Sequence, residues 1–185
     1  IEDQLFFIND MLLKTIQHVK AHDSTLHLMG LLSDGGVHSH YDHLFALLKL
    51  AKEHDIKTVY IHAFLDGRDV LKQSALKYVE ELERQIQNFG IGEIKTISGR
   101  YYAMDRDERW ERTKLAYDTI TNGIGPTFKD AKSGILEYYE SDVTDEFITP
   151  FVVGEEKEFV HDGDGIIFFN FRPDRATQLS RVFKD

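Results

Sequence analysis

Cysteine is absent from all 185 residues, which excludes a disulfide framework, thiol catalysis and thiolate zinc ligation and fits a reducing compartment. No apolar stretch approaches the ~20 residues of a membrane span. The opening IEDQLFF lacks the basic n-region of a signal peptide, so the cytoplasm is the expected location. Positive charge is scarce: 22 Lys and Arg against 32 Asp and Glu leave a net charge of -10, which argues against non-specific binding to nucleic acid or anionic membranes. Also missing are G-x-x-x-x-G-K-[ST], G-x-S-x-G and G-x-G-x-x-G, any obvious activated nucleophile, any internal repeat and any low-complexity linker.

What is present is an alternation of apolar runs and amphipathic stretches. With 42% apolar and 12% aromatic residues, the chain can bury one good core, and a single domain over 1–185 is expected. Leu5, Ile8, Leu12, Ile16 and Val19 form the stripe of a helix over 3–21. Strands are predicted at 25–32, 57–65, 93–98 and 165–171, with helices at 40–54, 71–89, 108–121 and from Arg172 onward. This βαβ alternation predicts an α/β fold of three α/β/α layers around a mainly parallel, mixed sheet. Periodicity weakens over 122–160, where Gly123, Gly125, Pro126, Gly134 and Pro150 interrupt it, and irregular peripheral structure is expected there. Ile1 in place of methionine, and a helical pattern still running at the last residues, suggest a piece of a longer chain.

Each predicted strand stops at a loop rich in Gly, Arg, Asp or His: LLSDGGVHSH, AFLDGRD, ISGRYYAMDR and FFNFRPDR. In a parallel sheet such loops share one edge, where ligands bind. Of nine arginines, Arg68, Arg100, Arg106, Arg109, Arg172 and Arg175 lie in or just beyond them. A guanidinium offers a planar fork for carboxylate or phosphate, and Asp69 beside Arg68 can orient that fork or exchange a proton with a hydroxyl. His38 follows Ser33-Asp34-Gly35-Gly36, a turn that aims it at the cleft. Tyr101 and Tyr102 between Arg100 and Arg106 raise nucleic acid as a ligand, but Asp105, Asp107, Glu108 and Glu111 would repel a polyanion. A salt-bridge ladder on the helix surface is the plain alternative for Arg109 and Arg112. Arg172 and Arg175, three apart, are expected on one side of the first turn of a helix. DGDG at 162–165 lacks the rest of a calcium loop and reads as a turn.

Two other readings stay open. HSHYDH carries His38, His40 and His43 in the H-x-H-x-D-H pattern of metallo-β-lactamase-like hydrolases, although the later ligands of that family are not evident and His40 and His43 also suit a helix start. A non-catalytic module for a phosphorylated ligand is the third possibility.

In order and spacing, SDGGVHSH, DGRD, SGRYYAMDRD and FFNFRPDRA closely resemble the 2,3-bisphosphoglycerate-independent phosphoglycerate mutases, over nearly the whole chain. The resemblance covers only the inserted phosphotransferase, or substrate-binding, domain of that family. It implies isomerase chemistry of glycolysis and gluconeogenesis, in which 3- and 2-phosphoglycerate interconvert through a phosphoserine. The serine and two divalent metals, manganese or magnesium, are implied on an alkaline-phosphatase-like domain of the same chain, with no metal in this piece. His38, Arg68, Asp69, Arg100, Arg106, Arg172 and Arg175 match substrate-binding positions, with Asp69 implied as the proton acceptor or donor at the glycerate hydroxyls. The resemblance further implies a monomer, with no nucleic-acid or membrane partner, and an isolated piece that is catalytically inactive.

Overall fold

A computed structural model describes residues 5–155 and 158–184. Among them, six strands form one sheet: β1 (Leu26–Leu31), β2 (Val59–Leu65), β3 (Glu93–Gly99), β4 (Thr127–Phe128), β5 (Phe151–Val153) and β6 (Gly165–Phe168), in the spatial order β4-β5-β3-β2-β1-β6. The strands β3, β2, β1 and β6 run parallel, and β5 lies antiparallel against β3. The four long apolar runs of the sequence are these parallel strands, so their C-terminal loops emerge along one edge.

The helices are α1 (Asp10–His22), α2 (Tyr41–Glu53), α3 (Ala75–Phe89), α4 (Arg100–Ala103), α5 (Trp110–Asn122), α6 (Ala131–Glu140) and α7 (Thr177–Lys184). Ile16 and Val19 of α1, Leu44, Leu47 and Leu48 of α2, Val79 and Leu82 of α3 and Ile135 of α6 join one buried cluster. Ala103 of α4, Ala116 and Ile120 of α5 and Leu179 of α7 join a second, together with Met29, Leu31 and Phe64 of the sheet. The expected α/β/α layering follows.

Several boundaries differ from the sequence reading, each for a local reason. The stripe over 3–21 does not make one helix, because Asn9 accepts from the amides of Met11 and Leu12 and starts α1 at Asp10. Leu5 and Ile8 therefore sit in a separate 3-10 turn, each 64% exposed. The start of α3 is set from a distance, by the Asp145 carboxylate accepting from the amides of Ser74 and Ala75. Residues 122–153 are not irregular. They hold β4, α6, a 3-10 turn at Asp145–Phe147 and β5, with Ile135 and Phe151 fully buried. Strands of two and three residues are too short to display a period, which is why the pattern hid them. Lastly, β6 ends at Phe168 and α7 begins only at Thr177, leaving Arg172 and Arg175 in the intervening loop and not on a helix.

The half of the sheet away from that edge carries a buried polar chain. Asp164 accepts from the amides of Thr25 and His161 and lies 3.1 Å from His27 Nε2. Burial would raise the Asp164 carboxyl, but these donors outweigh it and hold it ionised, so His27 Nε2–H is the donor. With both rings neutral, His27 Nδ1 accepts from His62 Nε2–H at 3.0 Å, and His62 Nδ1 from the Thr96 hydroxyl at 2.8 Å. Every ring nitrogen is satisfied with both imidazoles neutral, the form that burial favours for each. A β-bulge makes the arrangement possible: Ile61 pairs with Ile94 but His62 with Thr96, so Lys95 is the extra residue. Lys95 and Thr96 thereby turn toward the same side, with Lys95 Nζ against Glu93 at 2.7 Å and over the Tyr60 ring.

Candidate functional site

The loops after β1, β2 and β3 are tied into one assembly by a buried carboxylate that the motif reading passed over. Asp66, 2% exposed, accepts from Ser33 Oγ of the β1 loop at 2.6 Å and from the amides of Arg68 and Asp69 at 3.1 and 2.9 Å. Its other oxygen contact is Arg100 Nη1 at 2.7 Å, and the same nitrogen reaches Asp69 at 2.6 Å. Burial alone would push the Asp66 carboxyl up, yet Ser33, the Asp69 amide and Arg100 outweigh it and hold it below its ordinary value. Burial would likewise weaken the charge on Arg100, which is 3% exposed, but Asp69 and Asp66 hold it above its usual range. The Asp-Gly pair at the head of DGRD, with the carboxylate bonding amides two and three residues on, is the turn signal that could have singled out Asp66.

The β6 loop is stitched to its neighbours by backbone. Asn170 Oδ1 accepts from the Leu31 amide at 2.9 Å, and the amides of Phe171 and Arg172 point to the His38 carbonyl at 2.9 and 3.4 Å. Arg175 Nη1 donates to the Met104 carbonyl at 3.2 Å, joining the β6 and β3 loops. Burial lowers the Arg175 guanidinium, and so do Arg106, Arg100 and Arg68, a like-charge influence that arises because the loops gather these arginines. Asp174 faces Arg172 through Nε and Nη2 at 3.2 and 3.1 Å, Arg106 Nη1 at 2.8 Å and His38 Nδ1 at 3.7 Å. His38 is buried, and its Nδ1 has no hydrogen-bond partner among the described residues. Burial, then Arg100 and Arg172, lower its pKa and favour the neutral ring.

His38, Asp69, Arg100, Arg106, Arg172 and Arg175 are thus brought together over the ends of four parallel strands. Arg68 stands at the rim, 59% exposed along its side chain and 3.4 Å from Glu146. Glu146 belongs to the 3-10 turn at Asp145–Phe147, which reaches the rim only because Gly67 and Gly99 leave it room: a Cβ at Gly99 would strike the Glu146 carbonyl. Arg109 and Arg112 serve Asp105 instead. Its carboxylate accepts from the Arg109 amide at 2.9 Å, while Arg112 lies 3.5 Å from it and 3.7 Å from the Tyr101 ring centroid. That replaces the expected surface ladder for these two residues.

The histidines of HSHYDH do not converge. His40 caps α2 by accepting from the Asp42 amide, and His43 stacks on Phe6 and meets Phe171 edge-on. Among the described residues no three His, Cys, Asp or Glu side chains gather to hold a metal ion. Nor is any described helix long and apolar enough to cross a membrane.

What the arrangement can do is hold a small, multiply charged anion through forks from separate loops, beside a carboxylate able to exchange a proton. Comparison with known proteins gives the family. All 185 residues match the family described as the BPG-independent PGAM N-terminus. A 2,3-bisphosphoglycerate-independent phosphoglycerate mutase of Staphylococcus saprophyticus is 60% identical over the whole chain, and one of Staphylococcus aureus is 58% identical over 99% of it. The chain spans 37% and 36% of those two relatives. A crystal structure of Leishmania mexicana phosphoglycerate mutase, at low cobalt concentration, superposes on the whole chain with a TM-score of 0.94 at 31% identity, the chain covering 36% of it. A match that runs unbroken from end to end, at this identity and with this fold, places the chain in the BPG-independent phosphoglycerate mutase family, as its N-terminal portion.

Proposed function

We propose that this chain is the glycerate-holding part of an isomerase that interconverts 3- and 2-phosphoglycerate. The observation that carries the reading is the meeting of Arg100, Arg106, Arg172, Arg175, His38 and Asp69 in one cluster with no nucleophile of its own. A serine on the remainder of the chain takes the phosphoryl group from the C3 oxygen, and the glycerate is retained here and re-presented. The phosphoryl group then returns to the C2 oxygen. Arginine forks hold the carboxylate and phosphate, which fixes the geometry of both transfers. Asp69, kept in place by Arg100, accepts the proton of the attacking glycerate hydroxyl and returns one to the hydroxyl left behind. The divalent metals that the resemblance implies would sit with that serine on the remainder of the chain. The partner is that remainder, brought over the site by hinge motion in a monomeric, cytoplasmic enzyme.

Titration of the chain with 3-phosphoglycerate, by calorimetry or chemical-shift changes, tests the reading. Arg172→Ala is expected to weaken binding by about 1.5–3 kcal/mol, roughly ten- to 150-fold, the worth of a hydrogen bond to a charged group. No 2-phosphoglycerate is expected to form. Equal affinity for both proteins, or measurable turnover by the isolated chain, would refute it.

A further inference from the structure

The best-held aspartates of this fold share a signature that Asp174 lacks. Asp66, Asp105, Asp145 and Asp164 are each accepted into the structure by two backbone amides. Asp174 accepts from none among the described residues. Its carboxylate faces only side chains of the basic cluster: the Arg172 fork, Arg106 and the His38 ring, drawn from the β6, β3 and β1 loops. A planar carboxylate gripped on both oxygens by basic groups from three loops is the geometry of an anion-binding site whose anion is supplied by the protein. Asp174 is also about one-third exposed and sits in a loop, so its side chain can swing away without opening the core.

Most of the positive charge at the site is already engaged by carboxylates of the chain. Arg100 is matched by Asp66 and Asp69 and Arg68 by Glu146, while Arg106 and Arg172 share Asp174 and Arg175 meets only the Met104 carbonyl. A ligand carrying both a carboxylate and a phosphate needs guanidinium edges that Asp174 now covers.

We propose that Asp174 is a built-in surrogate anion, which holds His38, Arg106 and Arg172 in place while the site is empty and is displaced when a substrate carboxylate or phosphate enters. This rests on the functional reading above. It makes binding an exchange of one anion for another: the arginines do not repel one another apart in the empty site, and weakly held anions are rejected. The selectivity follows because a ligand must outcompete a tethered carboxylate at high effective concentration.

Asp174→Asn, which preserves shape but not charge, and Asp174→Ala are compared with the unaltered chain by titration with two probes, inorganic phosphate and 3-phosphoglycerate. Circular dichroism checks that each variant is folded. Both variants are expected to bind both probes more tightly, on the order of three- to tenfold, the worth of two partly exposed ion pairs. The gain should be proportionally larger for phosphate, which has fewer contacts of its own. Binding that weakens or stays equal in folded variants overturns the proposal and makes Asp174 a positioning residue for the arginines. If 3-phosphoglycerate binds none of the proteins while phosphate binds the variants more tightly, the functional reading fails and the surrogate anion stands. Failure of phosphate to bind the Asn variant sinks the surrogate.

Discussion

Asp66→Ala is expected to cost the fold about 3 kcal/mol or more, because it strips one of two carboxylates from a buried guanidinium and leaves the Ser33 hydroxyl and two loop amides without their acceptor. In a chain of this size that lowers Tm by roughly 6–12 °C. Ser33→Ala, which removes one neutral donor, should cost about 1 kcal/mol. The ligand readout moves too: Arg100 keeps only Asp69, and the loop bearing Arg68 and Asp69 loses its anchor, so affinity for 3-phosphoglycerate should fall at least tenfold. Urea unfolding and titration of the same preparations check both. A stability loss below about 1 kcal/mol would show that the hub is ornamental.

Acid should unfold this chain early. His27 and His62 are completely buried, and burial pushes both pKa values below the ordinary 6.5, that of His62 far below. Burial lowers His38 and His43 in the same direction. In the unfolded chain each titrates near 6.5, so below that pH the unfolded state binds more protons. Stability is therefore complete above pH 6.5 and is lost as pH falls toward the folded values, at ~1.4 kcal/mol per pH unit for each histidine that stays neutral. The lowered carboxylates, Asp34, Asp66, Asp164 and Asp174, act only below about pH 4, outside this window. Asp145 and Glu83, raised by burial, act in the opposite sense and offset part of the loss. Unfolding free energies at pH 7.5, 6.5 and 5.5 should show the larger drop over the last step, on the order of 2 kcal/mol for two histidines that stay neutral. A His27→Gln/His62→Gln variant should give a shallower slope over the same range. A flat profile in the unaltered protein would mean the two rings are protonated in the fold.

Much of the architecture could be read from apolar runs. A strand buried on both faces leaves a run such as GIIFF or TVYIHAFL, and a sheet covered on both sides allows little but a parallel order with loops on one edge. The clustering of Arg100, Arg106, Arg172 and Arg175 follows from that edge alone. What could not be read depended on meetings far along the chain. Strands β4 and β5 exist because Pro126, Phe128 and Thr96 offer partners to a segment with no period of its own. The N-terminus of α3 is where Asp145 puts it, and nothing near Ser74 announces that. Nothing in DGRD or FRPDR marks the role of Asp66 or Asp174, since a carboxylate's role depends on which cations reach it in space. Leu5 and Ile8 misled in the opposite way, by fitting a stripe that Asn9 interrupts.

The 3-10 turn at Asp145–Phe147, seated against Gly67 and Gly99, has a consequence for assembly. The proposed ligand contacts from His38, Asp69, Arg100 and Arg172 need the strands in place, but the shelf beneath two of those loops arrives only with residue 145, and the last loop only with residue 175. Pairings this remote close slowly and together. The pocket should consequently form in one step at the end of folding, and a ribosome-bound or protease-trimmed chain short of the final loop would carry most of the core yet capture no ligand.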